Sequence, residues 1–132
     1  MKIIVSRYSG AHSGFPIDVD GDTDIDIVSA SLEGTIDWFE NNGSESFTRH
    51  TIVTGFLMAV DAMAGDFDND NDIDIVGVGQ EAENISWFEN DGNQNFKEHV
   101  LSADFRGSRC YIARIGNDQK DDIICTSHLN GE

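Results

Sequence analysis

The chain has 132 residues, about the size of one domain, and its apolar content of 39% is enough for a packed core despite a formal net charge of −17. The excess of 25 acidic over 8 basic residues argues against nucleic acid and anionic membrane surfaces as partners, because both are bound by clustered lysine and arginine. No apolar run approaches the ~20 residues of a membrane-spanning helix, and the apolar stretch at the start is too short for a signal peptide, so we expect no membrane insertion.

Two sequence strings recur along the chain. The acidic run DVDGDTDIDIV (18–28) returns as DFDNDNDIDIV (66–76), 48 residues further on. Downstream of each run, WFENNG (38–43) matches WFENDG (87–92) at an offset of 49. A fixed period in this range indicates a solenoid, a propeller or another repeat array.

The repeat divides the chain into units of short strands. We expect the last strand of one unit at 1–8, complete units at 9–54 and 55–103, and a degenerate half-unit at 104–132. In the second complete unit, β-branched and aromatic residues predict strands over about 58–65, 73–79, 84–90 and 96–102. Asn-Gly (42–43) and Asp-Gly (91–92) predict hairpins between the third and fourth strands. Four antiparallel strands per repeat predict an all-β fold, a β-propeller of four-stranded blades that forms a partial ring in one chain.

Alternating aspartates in each acidic run predict a metal site. Carboxylates folded into one turn repel each other, and a hard divalent cation with oxygen ligands removes that repulsion. Calcium accepts about 6–8 oxygens in flexible geometry, so we predict one Ca²⁺ per loop and two per chain. An EF-hand is excluded, since that loop needs glutamate at its twelfth position, and an acidic surface turn that binds nothing is the alternative. The expected ligands are Asp18, Asp20, Asp22 and Asp26 with the carbonyl of Asp24, then Asp66, Asp68, Asp70 and Asp74 with the carbonyl of Asp72.

A degenerate third copy of the acidic run follows 48 residues after the second copy. Arg114, Gly116 and Lys120 replace three of its aspartates, while Asp118 and Asp122 remain. Because cationic side chains cannot ligate a metal ion, we predict no calcium in this loop. The Lys120 ammonium would stand in for the ion beside Asp118 or Asp122.

These strings together resemble the FG-GAP/VCBS repeat, whose copies are similar to the blades of the integrin α-subunit propeller. The resemblance covers nearly the whole chain and is specific in two units of three. It implies a β-propeller with calcium in the loop that joins the first two strands of a blade, held by the aspartates named above. It also implies an extracellular or cell-surface location and roles in adhesion, recognition or attachment to polysaccharide-acting enzymes.

The aromatic residues of the second string have two interpretations. Trp38 and Trp87 are candidate ligand-binding platforms for sugar stacking, but the same position in every repeat favours packing within the blade. His50 and His99 also recur, which indicates a shared structural role. With no second histidine or thiolate near them in sequence, they make poor zinc ligands.

Two cysteines, Cys110 and Cys125, are too few for a disulfide scaffold. We interpret them as small core residues, because strand alternation does not clearly place them on one face; whether they pair stays open.

The number of blades predicts self-association. Propellers close with about 4–8 blades, and two blades with two part-blades leave strand edges exposed. We expect a homo-oligomer, with a dimer favoured, in which the C-terminal half-blade (about 110–127) accepts the N-terminal strand (about 2–6) of a second copy. The opening methionine and the complementary ends favour this assembly. The alternative is a fragment of a longer propeller.

We predict a non-enzymatic calcium-binding propeller module for recognition or adhesion, with calcium structural and no catalytic residues. A catalytic metal needs an open coordination position and a nearby acid or base, and carboxylates that saturate the ion leave little room for either. The alternatives are a lectin-like carbohydrate-binding module, or a fragment of a calcium-assisted polysaccharide-acting enzyme. The partner would be a glycan or a protein. If the chain were part of an enzyme, the candidate residues outside the repeat pattern are Arg106, Arg109, Arg114 and Tyr111.

Overall fold

The computed structural model describes residues 8–104, 106–116 and 121–127, and every regular element within these ranges is a β-strand. Ten strands follow in order: β1 (Phe15–Ile17), β2 (Asp26–Ser31), β3 (Thr35–Asn41), β4 (Phe47–Thr54), β5 (Ala59–Gly65), β6 (Asp74–Gly79), β7 (Asn84–Asn90), β8 (Phe96–Ser102), β9 (Gly107–Ala113) and β10 (Asp122–Ser127). The four strands predicted for the second unit agree with β5 to β8 to within one residue. No helix in the described ranges is long and apolar enough to cross a membrane.

The strands form three antiparallel sheets that follow the repeat. Blade 1 has the order β1-β2-β3-β4, blade 2 has the order β5-β6-β7-β8, and β9 pairs with β10 as the C-terminal hairpin. The described sheets do not close on one another, so the chain is a partial β-propeller, as the sequence predicts. Of the strand expected at 1–8, residues 1–7 lie outside the described residues.

Blade 1 and blade 2 pack face to face through the larger core. Its buried residues come from both sheets: Val19, Val28, Ala30, Ile36, Trp38, Phe56, Ala59, Ala62, Ala64, Ile75 and Phe88. The blades approach closely because Gly77 in β6 has no side chain, and a Cβ atom there would overlap the Cδ1 of Ile36. Strand β6 is therefore buried along its whole length. In β8, at the outer edge of blade 2, every residue is half-buried or exposed.

The C-terminal hairpin packs against the other face of blade 2. Val60, Met63 and Val78 of blade 2 form one buried cluster with Cys110, and Ile112 packs against this cluster. Hairpin residues that face away from blade 2 are exposed, including Tyr111 and Ile124, which lie opposite each other in the ladder.

The two cysteines of the hairpin form a disulfide bond, which answers the question of pairing that the sequence left open. Cys110 in β9 lies directly opposite Cys125 in β10, with 4.1 Å between the Cα atoms. Residues opposite each other in an antiparallel pair point to the same face of the sheet. Cys110 is nonetheless buried in the core against blade 2.

Candidate metal centres

The first three aspartates of each acidic loop come together. In the first aspartate loop (residues 18–26), one carboxylate oxygen from each of three residues lies within 4.8 Å of the others, and the second aspartate loop (66–74) repeats this arrangement. The two triads are Asp18, Asp20 and Asp22, and Asp66, Asp68 and Asp70. Each triad occupies the connection between the first and second strands of its blade.

The loops hold this shape through hydrogen bonds from their own backbone. Asp18 Oδ1 accepts the N–H of Gly21 (2.8 Å), and its Oδ2 accepts that of Thr23 (2.9 Å). Gly21 and Thr23 both have positive φ, at 77° and 79°. The second loop makes the same bonds with asparagines in place of Gly21 and Thr23. Glycine and asparagine adopt this left-handed backbone most easily, so it suits Gly21 and the two asparagines. The β-branched Thr23 adopts it against its preference, and its N–H bond to Asp18 holds it there.

Asp26, the ninth residue of the first loop, lies outside the triad. It is fully buried, and its Oδ2 accepts the backbone N–H of Val19 (3.0 Å) and the indole N–H of Trp38 (2.9 Å). Its Oδ1 accepts the backbone N–H of Asn41 (2.8 Å). Asp26 therefore joins the aspartate loop to the WFEN string of β3, which explains why the two strings recur together.

Asp74 has the corresponding place in blade 2. It accepts the backbone N–H groups of Phe67 (3.3 Å) and Asn90 (2.8 Å). The indole N–H of Trp87 is buried with no hydrogen-bond partner in the described part of the chain, although it lies near enough to favour the Asp74 anion. Burial raises the pKa of Asp74 to about 6, and the charge of Asp68 adds to this effect.

The third unit separates the roles of these aspartates. Asp122 Oδ2 still accepts the backbone N–H of Ile115 (2.7 Å), the same bond that Asp26 and Asp74 make in their own loops. At the first position, however, the Arg114 guanidinium pairs with Asp121 at 2.9 Å. The ninth aspartate thus keeps its structural bond in a unit that has lost the triad. The predicted contact of Lys120 with Asp118 lies outside the described residues.

The seventh aspartates also point away from the triads. A Cβ atom at Gly43 would lie 2.5 Å from Asp24 Oδ2, and one at Gly92 would lie 2.6 Å from Asp72 Oδ2. Both glycines belong to the turn that follows the WFEN string. The Asp24 and Asp72 carboxylates therefore pack against this turn, which leaves only a backbone carbonyl to serve as the predicted ligand.

Electrostatics within the loops favours a bound cation. Burial raises the pKa of Asp20, and the charges of Asp22, Asp26 and Glu40 raise it further. Burial likewise raises the pKa of Asp68, and its own acidic neighbours add to the effect. Three oxygens from three carboxylates are hard donors of the kind that Ca²⁺ prefers, so the donor set fits this ion.

The recurring tryptophans and histidines form stacked pairs. Trp38 stacks on His50 with ring centroids 4.6 Å apart, and Trp87 stacks on His99 at 4.7 Å. His50 Nε2 lies 2.6 Å from Glu40 Oε2, and the second pair repeats this contact. The shared structural role predicted for the histidines is therefore confirmed.

Trp38 packs within blade 1, as its recurrence favours, and its role in ligand binding stays a prediction. Only 4% of the residue is exposed, His50 covers one face of its ring, and its N–H is bonded to Asp26. Trp87 is half-buried against the core between blade 2 and the hairpin. Its role in ligand binding stays a prediction.

A polar cluster in blade 1 was not anticipated from the sequence. Asp37 is fully buried in β3, and its carboxylate accepts two bonds from Arg49 (2.8 and 3.0 Å), with further bonds from Thr35 (2.6 Å), Thr51 (2.7 Å) and Tyr8. Burial alone would raise the pKa of Asp37, but Arg49 and the hydroxyl groups outweigh it and hold the pKa below its usual value. Blade 2 has Ser86 at the equivalent place, so no repeat signal pointed to the cluster.

Two of the three arginines proposed for an enzyme site form local ion pairs. Arg106 pairs with Glu83, and Arg114 pairs with Asp121. Tyr111 is exposed on the outer face of the hairpin. Arg109 and Tyr111 line a cleft together with His12 and Asp61, so these two members of the cluster lie beside titratable side chains of the first and second blades.

The fold and its loops define a class of protein, a repeat protein built from propeller blades with an aspartate loop between the first two strands. The family profile described as the FG-GAP-like repeat matches residues 18–77 and again residues 66–125. The chain therefore belongs to the FG-GAP-like repeat family. No curated protein matches the chain.

Proposed function

We propose that the protein is a non-enzymatic, calcium-stabilised propeller module for recognition or adhesion. The observation that carries this proposal is the convergence of three carboxylates at the same place in two successive blades. Burial and the repulsion of neighbouring carboxylates together raise the pKa of Asp20 and Asp68, and a cation between the carboxylates would offset both effects. Calcium would bind through the triad, and water or backbone carbonyl oxygens would fill the remaining positions.

The role we assign to calcium is structural. Each aspartate loop precedes the second strand of its blade, and its ninth residue anchors the third strand, so an ordered loop supports the whole blade. An ion that binds the folded chain but not the unfolded chain raises the free energy of unfolding.

Location and assembly belong to the same proposal. FG-GAP repeats are common in extracellular proteins, and a disulfide such as Cys110–Cys125 persists in oxidising compartments, so we place the module outside the cell. We also propose that two copies associate, with the C-terminal half-blade of one copy accepting the N-terminal strand of the other. Light scattering should give the mass of a dimer in calcium, and a monomer at all concentrations would overturn this assembly.

Calcium titration by calorimetry tests the function directly. The wild-type protein should bind two ions. Asp22→Asn and Asp70→Asn keep the oxygen that accepts the backbone N–H two residues on, but remove one charge, and each should lose one site. Asp104→Asn, an exposed acid outside both loops, is the charge-matched control and should keep two. Absence of binding in the wild type would refute the proposal.

A further inference from the structure

We propose that the cleft between blade 1 and blade 2 binds a neutral sugar residue, and that calcium in the first aspartate loop prepares this site. The inter-blade cleft has a volume of about 340 Å³, within the range of small-molecule sites (~300–1,000 Å³). The calcium dependence rests on the function proposed above. The residues that carry the argument are Asp20, Glu40, His50, Asn93, Gln94 and Phe96.

The polar groups of the cleft suit hydroxyl groups. Asp20 and Glu40 offer carboxylate oxygens from blade 1, and Asn93 and Gln94 offer amides from the β7–β8 turn of blade 2. Carboxylates accept strong hydrogen bonds from hydroxyls, and each amide both donates and accepts. His50 adds an imidazole that is already oriented by Glu40 at 2.6 Å and by its stack on Trp38.

The charge and the walls of the cleft narrow the ligand class. Its lining contains two carboxylates and no lysine or arginine, and the three carboxylates of the first triad outnumber the two charges of a calcium ion, so a phosphate, sulfate or uronic acid would be repelled. Phe96 and Ile52 supply apolar surface for the carbon face of a ring. A neutral sugar has both kinds of surface and needs no counter-charge.

Asp20 couples the cleft to the metal site, because it belongs to the first triad and also lines the cleft. Glu40 lines the same cleft. Calcium bound by Asp20 would offset the charge of the Asp20 carboxylate and fix the position of its side chain. Sugar affinity should therefore rise when the first loop is loaded.

The two blades provide matched variants. Glu89 pairs with His99 in blade 2 as Glu40 pairs with His50, but it does not line the inter-blade cleft. Glu40→Gln should weaken sugar binding by about tenfold or more, and Glu89→Gln should leave it within about twofold of wild type. Asp20→Asn should lose the first calcium ion and the sugar, whereas Asp68→Asn should lose only the second calcium ion.

The experiment is an amide-resolved NMR titration of the calcium-loaded protein with N-acetylglucosamine, methyl mannoside and methyl galactoside, each in turn. Glucuronate and glucosamine serve as the anionic and cationic comparisons. We expect saturable shifts in the cleft for at least one neutral sugar. The proposal would be overturned if no neutral sugar reached saturation or if glucosamine bound more tightly than the neutral sugars. Equal losses of sugar affinity in Glu40→Gln and Glu89→Gln would overturn it as well. Calcium titration of the same sample reports separately on the metal sites.

Discussion

Replacing Asp37 by alanine should destabilise the protein far more than replacing its equivalent in blade 2. The change removes the acceptor for both Arg49 bonds and for the hydroxyls of Thr35, Thr51 and Tyr8. Breaking a buried ion pair costs about 3–5 kcal/mol. Because the Arg49 side chain is 46% exposed and can be hydrated once it is released, we expect about 3 kcal/mol, near the lower limit.

Ser86→Ala provides the matched control for this change. Ser86 occupies the same place in β7 and makes one hydrogen bond, to Glu98 at 2.7 Å, so its loss should cost about 1 kcal/mol. Urea unfolding in calcium at neutral pH measures both values, provided that the slope of the transition is unchanged. Equal losses in the two variants would refute the assignment of Asp37 as an organising residue of blade 1.

The same residue predicts a pH dependence. The pKa of Asp37 is lower in the folded chain than its ordinary value of 3.8, so its contribution to stability is present above about pH 4 and is lost as the pH falls through the folded pKa. The stability difference between wild type and Asp37→Asn should therefore be constant from about pH 8 to pH 5 and shrink in stronger acid. A difference that grows as the pH falls would contradict this sign.

Two further predictions concern the loops and the hairpin. Gly43→Ala should destabilise the protein and weaken calcium binding in the first loop more than Gly55→Ala does. Both glycines have positive φ, but only a Cβ atom at Gly43 would meet Asp24. Equal effects of the two variants in denaturation and in calcium titration would contradict this prediction. Replacing Cys110 and Cys125 together by serine should cost about 3 kcal/mol in urea unfolding, since the disulfide closes a separation of 15 residues; a loss below about 0.5 kcal/mol would contradict it.

The repeat predicted most of the fold because strand alternation and turn residues act locally. The β-branched run after each acidic loop and the Asn-Gly or Asp-Gly turn fix where strands begin and end, and β5 to β8 lie where these signals indicate. The 48- to 49-residue period then gave the number of strands per sheet. The repeat does not specify the outer surfaces of the described sheets, and those surfaces determine how the partial propeller is completed into a ring.

The roles of the aspartates were only partly predictable. Spacing alone groups all five in each loop as candidate ligands, and it distinguishes Asp20 from Asp26 only by position. The structure separates them because β3 passes beside Asp26 and supplies N–H donors from Trp38 and Asn41. That contact spans 12 to 15 residues and depends on the register of β2 against β3, which composition and spacing do not fix.

The sequence left the disulfide open and missed the Asp37 cluster for related reasons. Pairing of Cys110 with Cys125 requires the register of the β9–β10 hairpin, which depends on a turn with no Asn-Gly signal. The Asp37 cluster gathers Tyr8, Arg49 and two threonines from separate segments, and blade 2 has different residues there. A search for positions at which the two units differ in charge would have found Asp37 and Arg49.

Calcium-dependent unfolding tests the central claim most directly. Thermal denaturation of the wild-type protein should be followed in EDTA, in magnesium and in increasing calcium. If the two loops are structural calcium sites, the midpoint temperature should rise steadily with calcium concentration. The free energy of unfolding should increase by about 2.7 kcal/mol per site at a hundredfold excess of calcium over the dissociation constant. Magnesium should have a smaller effect. A midpoint that is the same in EDTA and in saturating calcium would contradict the account.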